Sequence, residues 1–569
     1  MKKAPKVVII GLDAATQHLL EPWVKEGKLP HLATLIQEGT GGLLESVIQP
    51  LTPAAWTTFM TGKNPGKHGI YNYTDPTPEG YGMIYTNGGS RKCESIWKML
   101  NRAGLSVGVM NTPFTFPPEK VDGFQISGCD TPSSDSAFVH PAGLKAEVEK
   151  TFGKLRLDAN YLGAMTSLKK RAEALETLKA CDEQWSQLAL YLLEQHPQDV
   201  MMFTFMSIDT VQHHFWHYMD NAHYYHDREG AKLFKDAILQ VYQRLDRTVG
   251  QILERLDLAQ TSVFCVSDHG QEAVSDRTIY VNRILSQAGL LAYKSINPWQ
   301  SLFVSLGRST FSFLRKTLSS GQKKLLANVF PRLRENAEGM ATSYSEIDWS
   351  KTMAYCNESP TSSACVMINL KGLKPDGIVE KAQYEAVIKK ACEAFYAVKD
   401  PRNGKSVIGR VYRRDELYSG PHAYSAPDLT LQWWGDSPFN TRPSLRGEEN
   451  LPALTIEEAR PLVLPEWSGH HTIDGIIIAR GPCIKQNVKC MGARLIDMAP
   501  TILYLLNLPI PDDMDGKVLF QLFDRPTREE SVRYESNPVE INLGTDDFVY
   551  SEEEAVLVEE RLKNLGYLE

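Results

Sequence analysis

Three apolar runs in this chain end in the same way, each delivering an aspartate to the end of a stretch that reads as a strand. Val7-Val8-Ile9-Ile10 leads through Gly11 and Leu12 to Asp13, the run 200–208 leads to Asp209, and Ser262-Val263-Phe264-Cys265-Val266 leads through Ser267 to Asp268. A strand with one wet face alternates apolar and polar side chains. Runs such as Val7-Val8-Ile9-Ile10 and Ile476-Ile477-Ile478 do not alternate, as expected of strands covered on both faces. Further strand-like runs lie at 106–110, 123–127 and 475–479, with amphipathic helical stretches between several of them. This alternation predicts an α/β fold: a doubly wound, mainly parallel sheet flanked by helices. In open parallel sheets ligands bind at the carboxyl ends of the strands, where Asp13, Asp209 and Asp268 fall.

A chain of 569 residues, 42% of them hydrophobic, can bury a large core as one big α/β domain with insertions. The pattern divides it into core at 1–134, a helical insertion at 135–199, core at 200–289, a mixed cap at 290–460, core at 461–523 and an acidic tail at 524–569. In the tail, Ser551 and Glu554 have the spacing of a capping box that opens a helix. A net charge of −8 gives no general attraction to nucleic acid. The nine cysteines are scattered and form no CxxC pair. They argue against a disulfide framework and a thiolate metal site, and point to a reducing, cytoplasmic compartment. The first apolar run is too short for a secretory leader, and no run is long enough to span a bilayer. Residues 301–334 combine Phe303, Phe311 and Phe313 with Arg308, Arg315 and Lys316 and contain no acidic residue. That composition suits either peripheral membrane contact or lid helices packing an apolar face on the core.

Metal-type side chains gather at the strand ends. Asp209 and His213 are four apart, so a helix starting there stacks both on one face. Asp268-His269-Gly270 offers a carboxylate and an imidazole at a strand exit, and Gly469-His470-His471 adds two more imidazoles. Such a set suits two divalent cations. Zinc accepts these nitrogen and oxygen donors, and manganese or iron would too. Thr52-Pro53 precedes Ala54 to Thr61 and then Gly62, the pattern of a helix with threonine as N-cap, proline at its first position and glycine as its stop. The free amides and positive end of that helix would favour phosphoryl oxygens and an alkoxide on Thr52.

Taken in order, Asp13, Thr52, Asp209-x-x-x-His213, Asp268-His269-Gly270 and Gly469-x-His471 resemble the alkaline phosphatase superfamily, closest to its type I phosphodiesterase and nucleotide pyrophosphatase branch. Two further stretches carry the likeness: Thr61-Gly62-Lys63-Asn64-Pro65-Gly66-Lys67-His68-Gly69-Ile70, and the run from His471 to Pro482. The resemblance implies one ion on Asp209, His213 and His471, and a second on Asp13, Asp268, His269 and the Thr52 oxygen. It leaves His470 outside the ligand set. It implies a phosphothreonine intermediate and a small phosphodiester or nucleotide substrate. It also offers Asn72 as donor to a phosphoryl oxygen, although Asn72 stands one place earlier than the branch pattern has it. Phosphomutases and phosphomonoesterases of the superfamily are the neighbouring readings. A lipid-headgroup phosphodiesterase at a membrane surface and a non-catalytic, metal-stabilised binding protein are the others. A sulfatase is disfavoured, because Ala54 and Trp56 occupy the positions where formylglycine formation requires proline and arginine.

Overall fold

The structure, a computed structural model, describes residues 4–76, 83–157, 167–295, 343–358, 364–457, 467–524, 532–536 and 549–565. The basic and aromatic stretch 301–334 lies outside the described residues.

The centre is a nine-stranded sheet. In chain order its strands are β1 (Val7–Leu12), β2 (Thr40–Glu45), β3 (Val107–Thr112), β4 (Gly123–Ser127), β5 (Val139–His140), β6 (Val200–Phe205), β7 (Ser262–Val266), β8 (Asp474–Arg480) and β9 (Val488–Arg494). Across the sheet they run β9-β2-β8-β7-β1-β6-β3-β4-β5. Strand β1 is central and pairs in parallel with both neighbours, Val7 opposite Val200 on one side and Ser262 on the other. Strand β3 continues the parallel set beside β6 and β4. The strand at 474–480 runs antiparallel between β2 and β7. A short strand, Gly469–Thr472, directly precedes it. Strands β2 and β9 gave no clear signal in the sequence: β2 carries two glycines, and several β9 residues face solvent.

Alternate residues of each central strand feed two separate cores, which is why the runs do not alternate in polarity. Val8, Ile10, Met201, Phe203 and Cys265 pack with Trp23, Leu188, Phe215 and Tyr242 from helices on one face. Val7, Ile9, Met202, Phe264 and Ile477 pack with Trp56, Phe59, Trp97 and Leu503 on the other. At about 1.5–3 kcal/mol per fully buried large aliphatic or aromatic side chain, these two layers dominate the favourable side of folding. The long helix Leu168–Gln195 buries Trp185, Leu188 and Leu192 in the first of these cores. That helix therefore supplies part of a flanking layer of the α/β core.

A third apolar cluster belongs to the segment around 279–454. It is built on a four-stranded antiparallel sheet, Ala354–Cys356, Cys365–Ile368, Leu429–Leu431 and Val411–Arg413, backed by the helix Tyr384–Tyr396. Leu51, the residue before Thr52, is buried in this cluster, and Tyr418 donates its hydroxyl to the Ile48 carbonyl at 3.0 Å. The cap thus grips the approach to Thr52, while the core under the sheet holds the helix on its other side. At the other end of the chain Ser551 and Glu554 form the expected reciprocal cap of helix Glu552–Leu565. That helix docks through buried Val558 and Leu562. Among the described residues no helix is long and apolar enough to cross a membrane. All nine cysteines are free.

Gly11 leaves a slot for the tip of Trp56. A Cβ there would lie 2.9 Å from Trp56 Cη2 and 3.0 Å from the Thr204 side chain. Gly11→Ala is expected to cost about 1–3 kcal/mol through overpacking, measured by denaturant unfolding. Wild-type stability in that variant would refute the close packing described.

Candidate active site

The helix at the centre of the site spans Thr52–Thr61, and all ten of its residues are buried. Leu51, with extended backbone, is its N-cap, so Thr52 is the first helical residue and Pro53 the second. This shifts the expected cap by one position and has a chemical consequence. The Thr52 hydroxyl lies 3.3 Å from His269 Nε2. Gly62 ends the helix with φ of 66°, a left-handed turn that glycine adopts without strain.

Asp13 follows β1, and its backbone turns at Ala14, whose φ is 59°. The left-handed region costs a residue with a side chain on the order of 1 kcal/mol. Here it directs the Ala14 amide toward Asp268 Oδ1 at 3.4 Å. Trp56, one helical turn after Thr52, donates its indole N–H to Asp13 Oδ2 at 2.7 Å. Each of these two carboxylates is thus held through one oxygen. The other oxygens, Asp13 Oδ1 and Asp268 Oδ2, are buried without a hydrogen-bond partner. His269 Nε2 lies 3.3 Å from Asp268 Oδ2 and 3.9 Å from Asp13 Oδ1.

The second group lies beside the first. Helix Ser207–Met219 begins just after β6 and stacks Asp209 under His213, with Asp209 Oδ1 at 3.1 Å from His213 Nε2. His471 arrives on the short strand Gly469–Thr472, which pairs with Gly270–Ala273. Its Nε2 is 3.2 Å from Asp209 Oδ1 and 3.0 Å from His213 Nε2. Gly469 permits this approach, because a Cβ there would stand 2.5 Å from the Gln212 carbonyl oxygen. The rings of His269 and His471 stack at 3.7 Å and join the two groups. The ligand atoms of Asp209, His213 and His471 lie within 4.8 Å of one another, as do those of Asp13, Asp268 and His269.

These residues fit metal ions for a reason visible in their hydrogen bonds. His213 Nδ1 faces the Gly469 carbonyl at 2.8 Å, His471 Nδ1 the Pro50 carbonyl at 2.9 Å, and His269 Nδ1 the Gly270 carbonyl at 3.1 Å. A carbonyl can only accept, so each Nδ1 carries the proton and each Nε2 turns a lone pair into the site. Two such lone pairs 3.0 Å apart beside a carboxylate oxygen repel unless a cation lies among them. Burial, with repulsion from Asp268 and Asp209, pushes the Asp13 carboxyl well above its ordinary range. Burial and Asp209 do the same to Asp268. Burial, with His471 beside it, lowers His269 and keeps its imidazole neutral.

The structure accordingly brings Asp13, Thr52, Asp209, His213, Asp268, His269 and His471 to one place. His470 points the other way, with Nε2 at 3.2 Å from Glu272. His217 packs against the Tyr218 ring at 3.8 Å. Asn72 turns onto its own chain, its side-chain oxygen accepting the Tyr73 amide at 2.7 Å. One neighbour of the site, Trp56, escaped sequence reasoning. Trp56 had one usable signal, its spacing of four from Thr52 on a helix.

The model of the type I phosphodiesterase/nucleotide pyrophosphatase family matches residues 7–437. The chain belongs to that family. It is therefore a phosphoryl-transfer hydrolase by descent, on an alkaline-phosphatase-like fold. Among solved structures, phosphonoacetate hydrolase from Sinorhizobium meliloti 1021, in complex with phosphonoformate, is similar over 88% of this chain and 95% of its own, with TM-score 0.50 and 14% identity. An inactive form of murine ectonucleotide pyrophosphatase/phosphodiesterase 5, in complex with AMP, covers 89% of this chain and 95% of its own, with TM-score 0.46 and 12% identity. No curated protein sequence matches the chain.

Trp56 holds a metal-type carboxylate, Asp13, without being a metal-type ligand itself. Trp56→Phe, which keeps most of the packing, is expected to weaken divalent-cation binding about 10- to 100-fold, read by competition with a chromogenic chelator. Unchanged affinity would show that the indole N–H does not orient Asp13.

Proposed function

We propose that this family member is a two-metal phosphodiesterase or nucleotide pyrophosphatase that works through a phosphothreonine on Thr52. The observation that carries this reading is the Thr52 hydroxyl, buried and 3.3 Å from His269 Nε2, at the junction of two buried groups of metal-type ligands. Asp209, His213 and His471 would hold one divalent cation and Asp13, Asp268 and His269 the other. Zinc suits three mixed nitrogen and oxygen ligands with a position left open. When bound, the pair would supply the positive charge that activates the threonine hydroxyl and offsets charge building on the phosphoryl oxygens.

The chain's own residues set the geometry. Thr52, on a helix locked by burial of all ten residues, attacks phosphorus in line. The amides of the first helical turn point toward the phosphoryl oxygens, where the dipole favours negative charge. Because Thr52 stands beside His269, the leaving oxygen departs on the side of Asp209, His213 and His471. Water then opens the phosphothreonine from the vacated side and restores the hydroxyl. Two in-line displacements give net retention at phosphorus. The substrate class is a small phosphodiester or nucleotide, in keeping with the family description.

Thr52→Ala is expected to lower kcat for an aryl phosphodiester at least about 1000-fold, with metal content by plasma mass spectrometry unchanged. Residual turnover within tenfold of wild type would remove Thr52 as the nucleophile. Chelation of the metal is expected to abolish turnover and to lower the melting temperature, because uncompensated buried carboxylates destabilise the fold. Zinc addition should restore both, and a chelated protein that melts as the loaded one does would contradict the proposed ligand set.

A further inference from the structure

Gln212 lies on the helix Ser207–Met219 between Asp209 and His213 and is fully buried. Its side-chain amide makes three hydrogen bonds, each to a different segment. The amide nitrogen donates to the Ala14 carbonyl and to Gln271 Oε1, both at 3.0 Å. The amide oxygen accepts the hydroxyl of Tyr242, on helix Ala237–Leu253, at 3.3 Å. The direction of that last bond is set from outside, because the Thr16 amide already donates to the Tyr242 oxygen at 3.0 Å and leaves the phenol its own proton to give. Both amide hydrogens of Gln212 are therefore spent on acceptors. Two of these partners adjoin metal-type ligands. Ala14 directly follows Asp13 and sits in the left-handed region with φ of 59°, its amide toward Asp268 and its carbonyl toward Gln212. Gln271 follows closely on His269 and pairs across to His471.

We propose that Gln212 is a positioning residue that fixes the Asp13 turn against the His213 helix and so keeps the two groups of metal-type ligands in register for a pair of ions. The proposal rests on the two-metal reading above and adds to it the residue that joins its halves. His213 and His471 have anchors of their own on the Gly469 and Pro50 carbonyls. The Asp13 turn differs: a residue with a side chain adopts the left-handed conformation at a cost, and the amide of Gln212 holds the Ala14 carbonyl there. Losing that amide loosens first the ion on Asp13, Asp268 and His269. Glutamine suits the place because it supplies two donors and an acceptor without charge. A glutamate would turn a carboxylate oxygen toward the Ala14 carbonyl and add a further buried anion to Asp13, Asp209 and Asp268.

The test compares Gln212→Met, which keeps the length of the side chain and removes its hydrogen bonds, with wild type and with Gln184→Met. Gln184 accepts the Arg156 amide at 2.8 Å and donates to the Phe152 and Lys154 carbonyls at 3.0 and 3.2 Å, a similar pattern on helix Leu168–Gln195, and serves as a control for removing an amide outside the site. With full-length protein, competition with a chromogenic chelator should find a pair of zinc ions per chain in wild type and in Gln184→Met. In Gln212→Met one ion is expected to bind as in wild type and the other about 10- to 100-fold more weakly. Anomalous diffraction at the zinc edge should place the retained ion on Asp209, His213 and His471. A change that only destabilised the fold would weaken both ions together, and that result would overturn the proposal. So would affinities within twofold of wild type, or a matching loss in Gln184→Met. Should Gln212→Met not fold, Gln212→Glu, which keeps the Tyr242 bond but cannot supply both donors, is held to the same outcomes. If wild type takes up fewer than two zinc ions, the two-metal reading fails; faster hydrogen exchange across residues 12–18 in metal-free Gln212→Met, with helix Tyr384–Tyr396 unchanged, would still sustain the tie made by Gln212, and unchanged exchange would overturn it.

Discussion

Three carboxylates, Asp13, Asp209 and Asp268, are fully buried at the same edge of the central sheet. Water stabilises an ionised carboxylate far better than a protein interior does, and the effective cost of burying one is several kcal/mol even after relaxation. The ionic partners of these three are imidazoles, His269 for Asp13 and Asp268, and His213 and His471 for Asp209. Imidazoles whose Nδ1 protons are given to backbone carbonyls cannot discharge that burden. Positive charge at its centre would offset that cost, and the same charge is what the proposed phosphoryl transfer requires.

The sheet makes such a burial possible. Strands β1, β6 and β7 are adjacent and parallel, so their carboxyl ends project acidic residues into one crevice with little adjustment. Two apolar layers hold those strands from both faces, and the fold can absorb a local penalty that a smaller core would not. The left-handed turn at Ala14 is a second local cost. It aims a backbone amide at Asp268 and keeps one oxygen of that carboxylate occupied while the other stays open.

Thr52 sits where two parts of the molecule meet. Leu51 belongs to the apolar cluster of the cap, whereas Ala55, Trp56 and Phe59 belong to the core beneath the sheet. The cap therefore positions the approach to the hydroxyl, and the core positions the helix that carries it. His471 repeats the arrangement: its Nδ1 is anchored on the Pro50 carbonyl, two residues before Thr52, and Trp433 of the cap approaches its backbone carbonyl at 3.4 Å. Movement of the cap would be felt at the hydroxyl and at one imidazole together.

Much of the centre was legible in the linear chain. Unalternating runs such as Val7-Val8-Ile9-Ile10 specify strands buried on both faces, because any other placement exposes apolar surface. The spacing of Asp209 and His213 specifies one helical face, because about 3.6 residues make a turn. Proline at 53 and glycine at 62 bracket a helix through their backbone constraints alone. The antiparallel entry of β8, the edge strands with glycine or exposed residues, and the membership of helix Leu168–Gln195 in the core layer were decided by tertiary packing. So was the contact of Trp56 with Asp13. Local chemistry sets what a residue can do within a few neighbours. Which of two histidines turns inward depends on partners up to several hundred residues away, and only the assembled chain brings those partners within reach.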